Sequence, residues 1–221
     1  METIHIDGHS LTLEDIIKVA YRRDVEIKIK EEAKEKIYRA RALVEKSVAE
    51  HKIIYGLTTG FGQFKNVVIN AAQTEELQKN LIMSHSIGVG EPFSEPIVRV
   101  AALIRANSLS HGNSGVRLET IEAVLNIINK NIHPFVPAKG SVGASGDLAP
   151  LSHMILCLMG LGEVIVDQKR IDSGEFLKQI DLAPLVLTSK EGLALNNASL
   201  VIACCWIMAG NCLNCLTKLC L

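Results

Sequence analysis

Apolar residues recur at three- and four-residue steps along much of the 221-residue chain, the period of amphipathic helices. From Ile29 the series Ile29, Ala33, Ile37, Ala40, Val44 and Val48 runs among interspersed charges and predicts one long helix with a solvated face. Ahead of it, Thr12 and Asp15 form a T-x-x-D pattern before Ile16, Ile17 and Val19, which predicts a helix opened by a side-chain cap and an acidic first turn. Three further helices are expected at roughly 74–86, 95–110 and 117–130, the last with Leu118, Ile121, Leu125 and Ile128 on one face. No strand-period segment of comparable length interleaves them, and Val164-Ile165-Val166 reads as part of a small hairpin. The pattern is that of a mainly α protein of one or at most two domains.

Two segments break the helical period. Tyr55-Gly56-Leu57-Thr58-Thr59-Gly60-Phe61-Gly62 carries three glycines and denies any regular element. The second runs from Pro134 to Pro150 and concentrates Gly140, Ser141, Gly143, Ser145 and Gly146 before Asp147, which with Pro150 predicts the cap and first turn of a helix. A loop feeding a helix N-terminus faces free backbone N–H groups suited to a developing negative charge. Its spacing fits neither a phosphate-binding G-x-x-x-x-G-K-[ST] loop nor the G-x-G-x-x-G dinucleotide fingerprint. Gly143-Ala144-Ser145-Gly146-Asp147 departs from the hydrolase elbow G-x-S-x-G at its last position. By composition alone the segment is a flexible connector.

Charge narrows the function classes. Lys and Arg number 23 against 24 Asp and Glu, a formal net charge of −1 with no long like-charge block, which argues against nucleic acid as a partner. The polar start Met1-Glu2-Thr3-Ile4-His5 does not read as a secretory signal, so the six cysteines are expected as reduced thiols in a cytoplasmic protein. Cys212-Leu-Asn-Cys215 lacks two further ligands at metal-binding spacing, and no metal site is expected. Leu200 to Gly210 is uncharged but too short for a bilayer, which needs about 20 residues; it reads as a core helix of a larger assembly rather than a membrane span.

The segment G-S-V-G-A-S-G-D-L-A-P-L-S-H, Gly140 to His153, resembles the prosthetic-group loop of the aromatic amino-acid ammonia-lyase family. In that family an Ala-Ser-Gly tripeptide cyclises and dehydrates to a methylidene-imidazolone. Ala144, Ser145 and Gly146 fit this reaction: the glycine nitrogen must reach a carbonyl two residues back, and the serine hydroxyl leaves as water. The likeness extends to the Tyr55 loop, whose Tyr is the family's base, and to Asn80-Leu-Ile-Met-Ser-His-Ser-Ile-Gly-Val-Gly. There Ser84-His85 matches the histidine-specific type, where phenylalanine- and tyrosine-selective members carry Phe-Leu and His-Leu. Arg105-Ala-Asn-Ser-Leu-Ser-His-Gly-Asn-Ser-Gly also fits, and Glu191-Gly-Leu-Ala-Leu-Asn-Asn-Ala-Ser resembles the family's E-G-L-A-L-x-N-G-T, aligning its active-site Asn with Asn197.

The resemblance implies the all-α, L-aspartase-like ammonia-lyase fold with short irregular β elements, ending before most of the central helical bundle. Residues 1–199 would form its N-terminal, prosthetic-group domain and 200–221 a Cys-rich tail, a truncated or alternative end. It implies elimination of ammonia from L-histidine to give urocanate without an external cofactor. Tyr55 would take the β-proton, Ala144-Ser145-Gly146 would supply the electrophile, Asn197 would assist its formation, and Ser84 with His85 would contact the substrate. Whether the substrate's amine or its ring attacks the methylene stays open. Read singly, His85 is equally a core histidine and Asn197 a helix cap. Family members are longer and complete their sites across a homotetramer, so a non-catalytic fragment binding full-length subunits, an aminomutase, or another aromatic ammonia-lyase remain alternatives.

Overall fold

A computed structural model describes residues 1–54, 57, 59, 71–143, 146–199, 201, 204–205 and 207–210. Strand β1 (Glu2–Ile6) pairs in parallel with β2 (Val25–Ile29), with Ile4 opposite Ile27, and helix α1 (Leu13–Tyr21) makes the crossover that parallel pairing requires. The helix starts as the T-x-x-D pattern predicts: Asp15 N–H donates to Thr12 Oγ1 at 3.2 Å and Thr12 N–H to Asp15 Oδ2 at 3.1 Å. Helix α2 (Glu31–Ala49) begins two residues later than the apolar series suggests, because Ile29 belongs to β2. Val25, Ile27 and Ile29 alternate inward on the strand, and Ala33, Ile37 and Val44 continue the burial at helical spacing.

The β1–β2 pair is the element the helical expectation passed over. Its free edge is closed by a side chain: Ile27 N–H donates to Asn129 Oδ1 at 2.8 Å, and Asn129 Nδ2 donates to the Ile27 carbonyl at 3.0 Å. A carboxamide thus supplies what a third strand would. Arg99, fully buried, caps the C-terminal end of α1 by donating to the carbonyls of Val19 and Arg22, both at 2.8 Å, and donates to Asn131 Oδ1 at 2.9 Å.

Helix α3 (Ala71–His85) leads into β3 (Val89–Pro92), followed by α4 (Glu95–Leu109) and α5 (Leu118–Asn129). On α4, Val98, Val100, Ala101, Ala102, Leu103, Ala106 and Leu109 are buried together with Arg99 and Arg105, so the helix is buried nearly all round, as a central helix must be. Helix α5 lays its predicted stripe of Leu118, Ile121, Leu125 and Ile128 into the same core. Strand β4 (Pro137–Lys139) runs antiparallel to β3, and α6 (Leu148–Leu158) follows. The expected hairpin is β5 (Glu163–Val166) with β6 (Lys169–Asp172), and α7 (Ser173–Gln179) and α8 (Glu191–Asn196) complete the named elements.

Within the stretch 200–210, Val201, Cys204 and Met208 are buried against the core. Among the described residues no helix is long and apolar enough to cross a membrane, and no cluster of His, Cys, Asp and Glu could hold a metal ion. Cys212 and Cys215 lie outside the described residues.

Candidate active site

Strands β3 and β4 bring two chain segments side by side: the end of α3 with Ser84, His85 and Ile87, and the loop from Gly140 to Asp147 that enters α6. Asp147 occupies the N-cap position of α6, as predicted, but its side chain makes no capping bond. The buried carboxylate instead ties the loop to the segment after α8. Ser141 Oγ donates to Oδ1 at 3.1 Å and Val201 N–H to Oδ2 at 3.0 Å, while the Asp147 N–H donates to the Ala198 carbonyl at 2.9 Å. A carboxylate taken from water needs such donors, and here they hold both ends of the loop in place.

Gly146 is where this arrangement is tightest. Its φ is +143°, a conformation that residues with a Cβ rarely adopt, and an added Cβ would lie 2.7 Å from Asn197 Oδ1 and 3.0 Å from Ala198 N. The Asn197 carboxamide therefore sits directly against the glycine backbone. Asn197 closes the C-terminus of α8, with φ −100° and its N–H on the Leu193 carbonyl at 3.2 Å, so the alternative of a cap at a helix start does not hold.

On the opposite side, His85 is the last residue of α3. Its Nδ1 lies 2.8 Å from the Leu81 carbonyl, which can only accept, so Nδ1 carries the proton. The Nε2 of the neutral ring is then an acceptor. Ser84 Oγ donates to the same carbonyl at 3.0 Å and is exposed, so its hydroxyl is directed back along its own helix. His85 and Gly146 line one cavity of about 200 Å³, walled also by Ile87, Ser141, Leu148 and Ala149. A second cavity of about 280 Å³ lies across the Ser141–Gly143 strand of the loop, between Phe93, Asp147 and Cys205. Tyr55, Ala144 and Ser145 lie outside the described residues.

The short helix α8, which presents Asn197, is mounted on polar groups not singled out from sequence, of which Glu191 and Arg105 open two of the motifs quoted above and Arg117, Thr120 and Gln78 lie outside them. Glu191 is wholly buried; its Oε1 accepts from Thr120 Oγ1 at 2.6 Å and from the Arg117 N–H at 2.9 Å, and its Oε2 pairs with Arg117 Nη2 at 2.8 Å. Burial works to raise its pKa, but the Arg117 guanidinium, the Thr120 hydroxyl and two backbone N–H groups outweigh it and hold the carboxyl below its ordinary value. Next to it, Gly192 N–H donates to Gln78 Oε1 at 2.8 Å, joining α8 to α3. Arg105 donates through Nη2 to the Ala194 carbonyl, and its Nε has no hydrogen-bond partner among the described residues. Burial alone pushes its pKa down to about 10. A cation at the carbonyl end of α8 is favourably placed against the helix dipole.

Residues 11–220 match the family described as aromatic amino acid lyase. The chain belongs to that family. Among curated relatives, the histidine ammonia-lyase of Alkaliphilus oremlandii is 52% identical over 202 residues, and that of Caldanaerobacter subterraneus 50% over 203. These matches take in 91% and 92% of the present chain, which spans 40% of the length of each relative. Histidine ammonia-lyase from Trypanosoma cruzi superposes with a TM-score of 0.86 at 37% identity, over 95% of this chain and 40% of that one. Tyrosine aminomutase from Streptomyces globisporus gives 0.82 at 36% identity, over 88% and 36%. Within this lyase-family fold, the positions expected from sequence that are described here divide clearly. Gly146, Asn197 and His85 converge, whereas the Ser84 hydroxyl is engaged within its helix.

Proposed function

We propose that the chain carries the site of a carbon–nitrogen lyase that eliminates ammonia from L-histidine to give urocanate. The observation that carries this reading is the placement of Gly146 against the Asn197 carboxamide, on a loop that shares a cavity with His85. The cradle around Gly146 suits a methylidene-imidazolone built from Ala144, Ser145 and Gly146: it leaves no room for a Cβ and sets a carboxamide against the backbone that must cyclise. That group, when formed, supplies an electrophile that ordinary side chains lack.

The chain's own residues then have distinct tasks. His85 offers Nε2 as an acceptor to the N–H of the substrate imidazole, since Nδ1 is committed to Leu81. Ser84, beside it, contacts the substrate once its hydroxyl turns from the Leu81 carbonyl. Tyr55 takes the β-proton, which requires a phenol titrating below its usual value of about 10. Asn197 holds the Gly146 backbone during cyclisation. The 50–52% identity to histidine ammonia-lyases and the Ser84-His85 pair favour histidine over the substrates of the aminomutases that share the fold.

A second element of the proposal, taken from the resemblance to the family, is that catalysis needs further subunits, as a homo-oligomer or with a full-length partner. Intact mass tests the first step: cyclisation with loss of two waters lowers it by about 36 Da, and Ser145→Ala abolishes the shift. Urocanate absorbance with L-histidine, for the chain alone and mixed with a full-length homologue, tests the rest. An unshifted mass in folded material overturns the prosthetic-group reading. A β-amino acid product in place of urocanate overturns the lyase in favour of an aminomutase.

A further inference from the structure

His153 has no part in the roles assigned above, yet it stands at the junction that frames the site. It lies half-buried in the second turn of α6, the helix into which the Gly140–Asp147 loop runs, on an element that buries Ala149, Leu151, Ser152, Met154, Ile155 and Leu158. A polar ring in such a setting is costly unless bonded. The Gly88 N–H donates to His153 Nε2 at 3.0 Å. Gly88 precedes the first paired residue of the β3–β4 ladder, Val89 opposite Lys139, so this N–H takes a side chain as its acceptor where the ladder has yet to begin.

Three segments converge on Gly88. A Cβ there would come within 3.1 Å of both His153 Nε2 and Pro137 Cβ, and a Cβ on Gly140 would lie 2.9 Å from Gly88 Cα. Gly88 follows His85 by three positions, and Gly140 opens the loop that ends at Gly146. One imidazole bond therefore joins the strand leaving the substrate side of the cavity to the helix leaving the loop. Because Nε2 accepts, the neutral ring carries its proton on Nδ1.

We infer that His153 is a positioning residue: its neutral ring, bonded to the Gly88 amide, sets the spacing between His85 and the Gly140–Gly146 loop without touching substrate. The consequence for catalysis rests on the elimination reading, whereas the brace itself does not. Burial lowers the ring's pKa, which favours the neutral form that the bond requires.

The test uses the full 221-residue chain labelled with nitrogen-15, held above the ordinary histidine titration range. Long-range nitrogen–proton spectra are expected to show His153 protonated at Nδ1 and bare at Nε2. In His153→Phe, which fills the space but accepts nothing, Gly88 loses amide-exchange protection and the His85 ring and Gly140 amide resonances shift. His153→Gln, whose Oε1 can accept, restores both. A neutral ring protonated at Nε2 overturns the inference, as does His153→Phe leaving His85 and Gly140 unmoved, or His153→Gln failing to restore them. Should His153→Phe not fold, the wild-type tautomer and the Gly88 protection in His153→Gln still decide. Failure of the elimination reading is seen separately, as an unshifted mass or absent urocanate with the brace intact.

Discussion

At the scale of single residues, the site is a set of backbone groups held by side chains, and its weak points follow from that. Gly146 combines a φ of +143° with a Cβ position already filled by Asn197. Gly146→Ala is expected to lose roughly 1–3 kcal/mol of stability from backbone strain and to displace Asn197. A lowered urea midpoint together with loss of the mass decrease of about 36 Da would register both effects. Val142, at the open tip of the same loop, is 89% exposed, so Val142→Ala is expected to leave the midpoint unchanged and serves as the control.

The titrating groups make a second expectation at this scale. His133 and His153 both have pKa values lowered by burial from the ordinary 6.5. The unfolded chain therefore takes up protons first as pH falls, and stability declines from about that value downward until the folded-state values are passed. Glu191, held below its ordinary 4.5, contributes stability that is present above that value and lost as pH falls through the lower folded one. Urea midpoints measured across the acid range should fall in two stages, and Glu191→Gln should shrink the second, to which the ion-paired and more exposed Glu2, Asp7 and Asp24, also held below their ordinary values, contribute.

At the scale of elements, α8 shows how a helix of six residues is kept in place by its neighbours rather than by its own propensity. Its N-terminal Glu191 bonds Arg117, Thr120 and Thr188, and its C-terminal turn meets Arg105. Glu191→Ala strands the Arg117 guanidinium, which is 29% exposed, and removes the acceptor of a buried hydroxyl. A loss of about 3 kcal/mol is expected, reduced somewhat by water reaching Arg117, and limited proteolysis near Asn197 should appear with it. Thr12→Ala, by contrast, removes an exposed capping box and should cost about 1 kcal/mol without affecting the site.

What was legible at this scale follows the range of each interaction. The Thr12 cap and the α5 stripe are local and were readable, since their partners lie three or four residues away. The β1–β2 pair was not read, although Val25, Ile27 and Ile29 alternate plainly. Five-residue strands give little periodicity, and the following helix continued the apolar series so smoothly that Ile29 fitted both periods. The bond of His153 is not legible locally, because its partner, the Gly88 amide, is 65 residues away.

For the whole molecule, stability depends on the packing of α4 and α5 at the centre. Leu103 is wholly buried on α4, and Leu103→Ala is expected to cost about 2–5 kcal/mol, read as a lower thermal midpoint. The site residues lie on the end of α3, the loop entering α6 and the end of α8, which α4 meets through Arg105 rather than Leu103, so this variant should lower stability while leaving the spacing of His85 and Gly146 intact.

Sequence alone determined the helical character of the chain, the two glycine-rich interruptions and the Ala144-Ser145-Gly146 motif that resembles the family's electrophile-forming tripeptide. These depend on periodicity, backbone permissiveness and the chemistry of neighbours in the chain. Only the tertiary structure decided that Asn197 caps the end of α8 and lies on Gly146, that Asp147 binds Ser141 and Val201 rather than its own helix, and that His85 shares a cavity with the loop. Each of these is a contact between segments brought together by burying apolar faces elsewhere, and a short polar side chain acquires its partner only after that packing has set where the backbones meet.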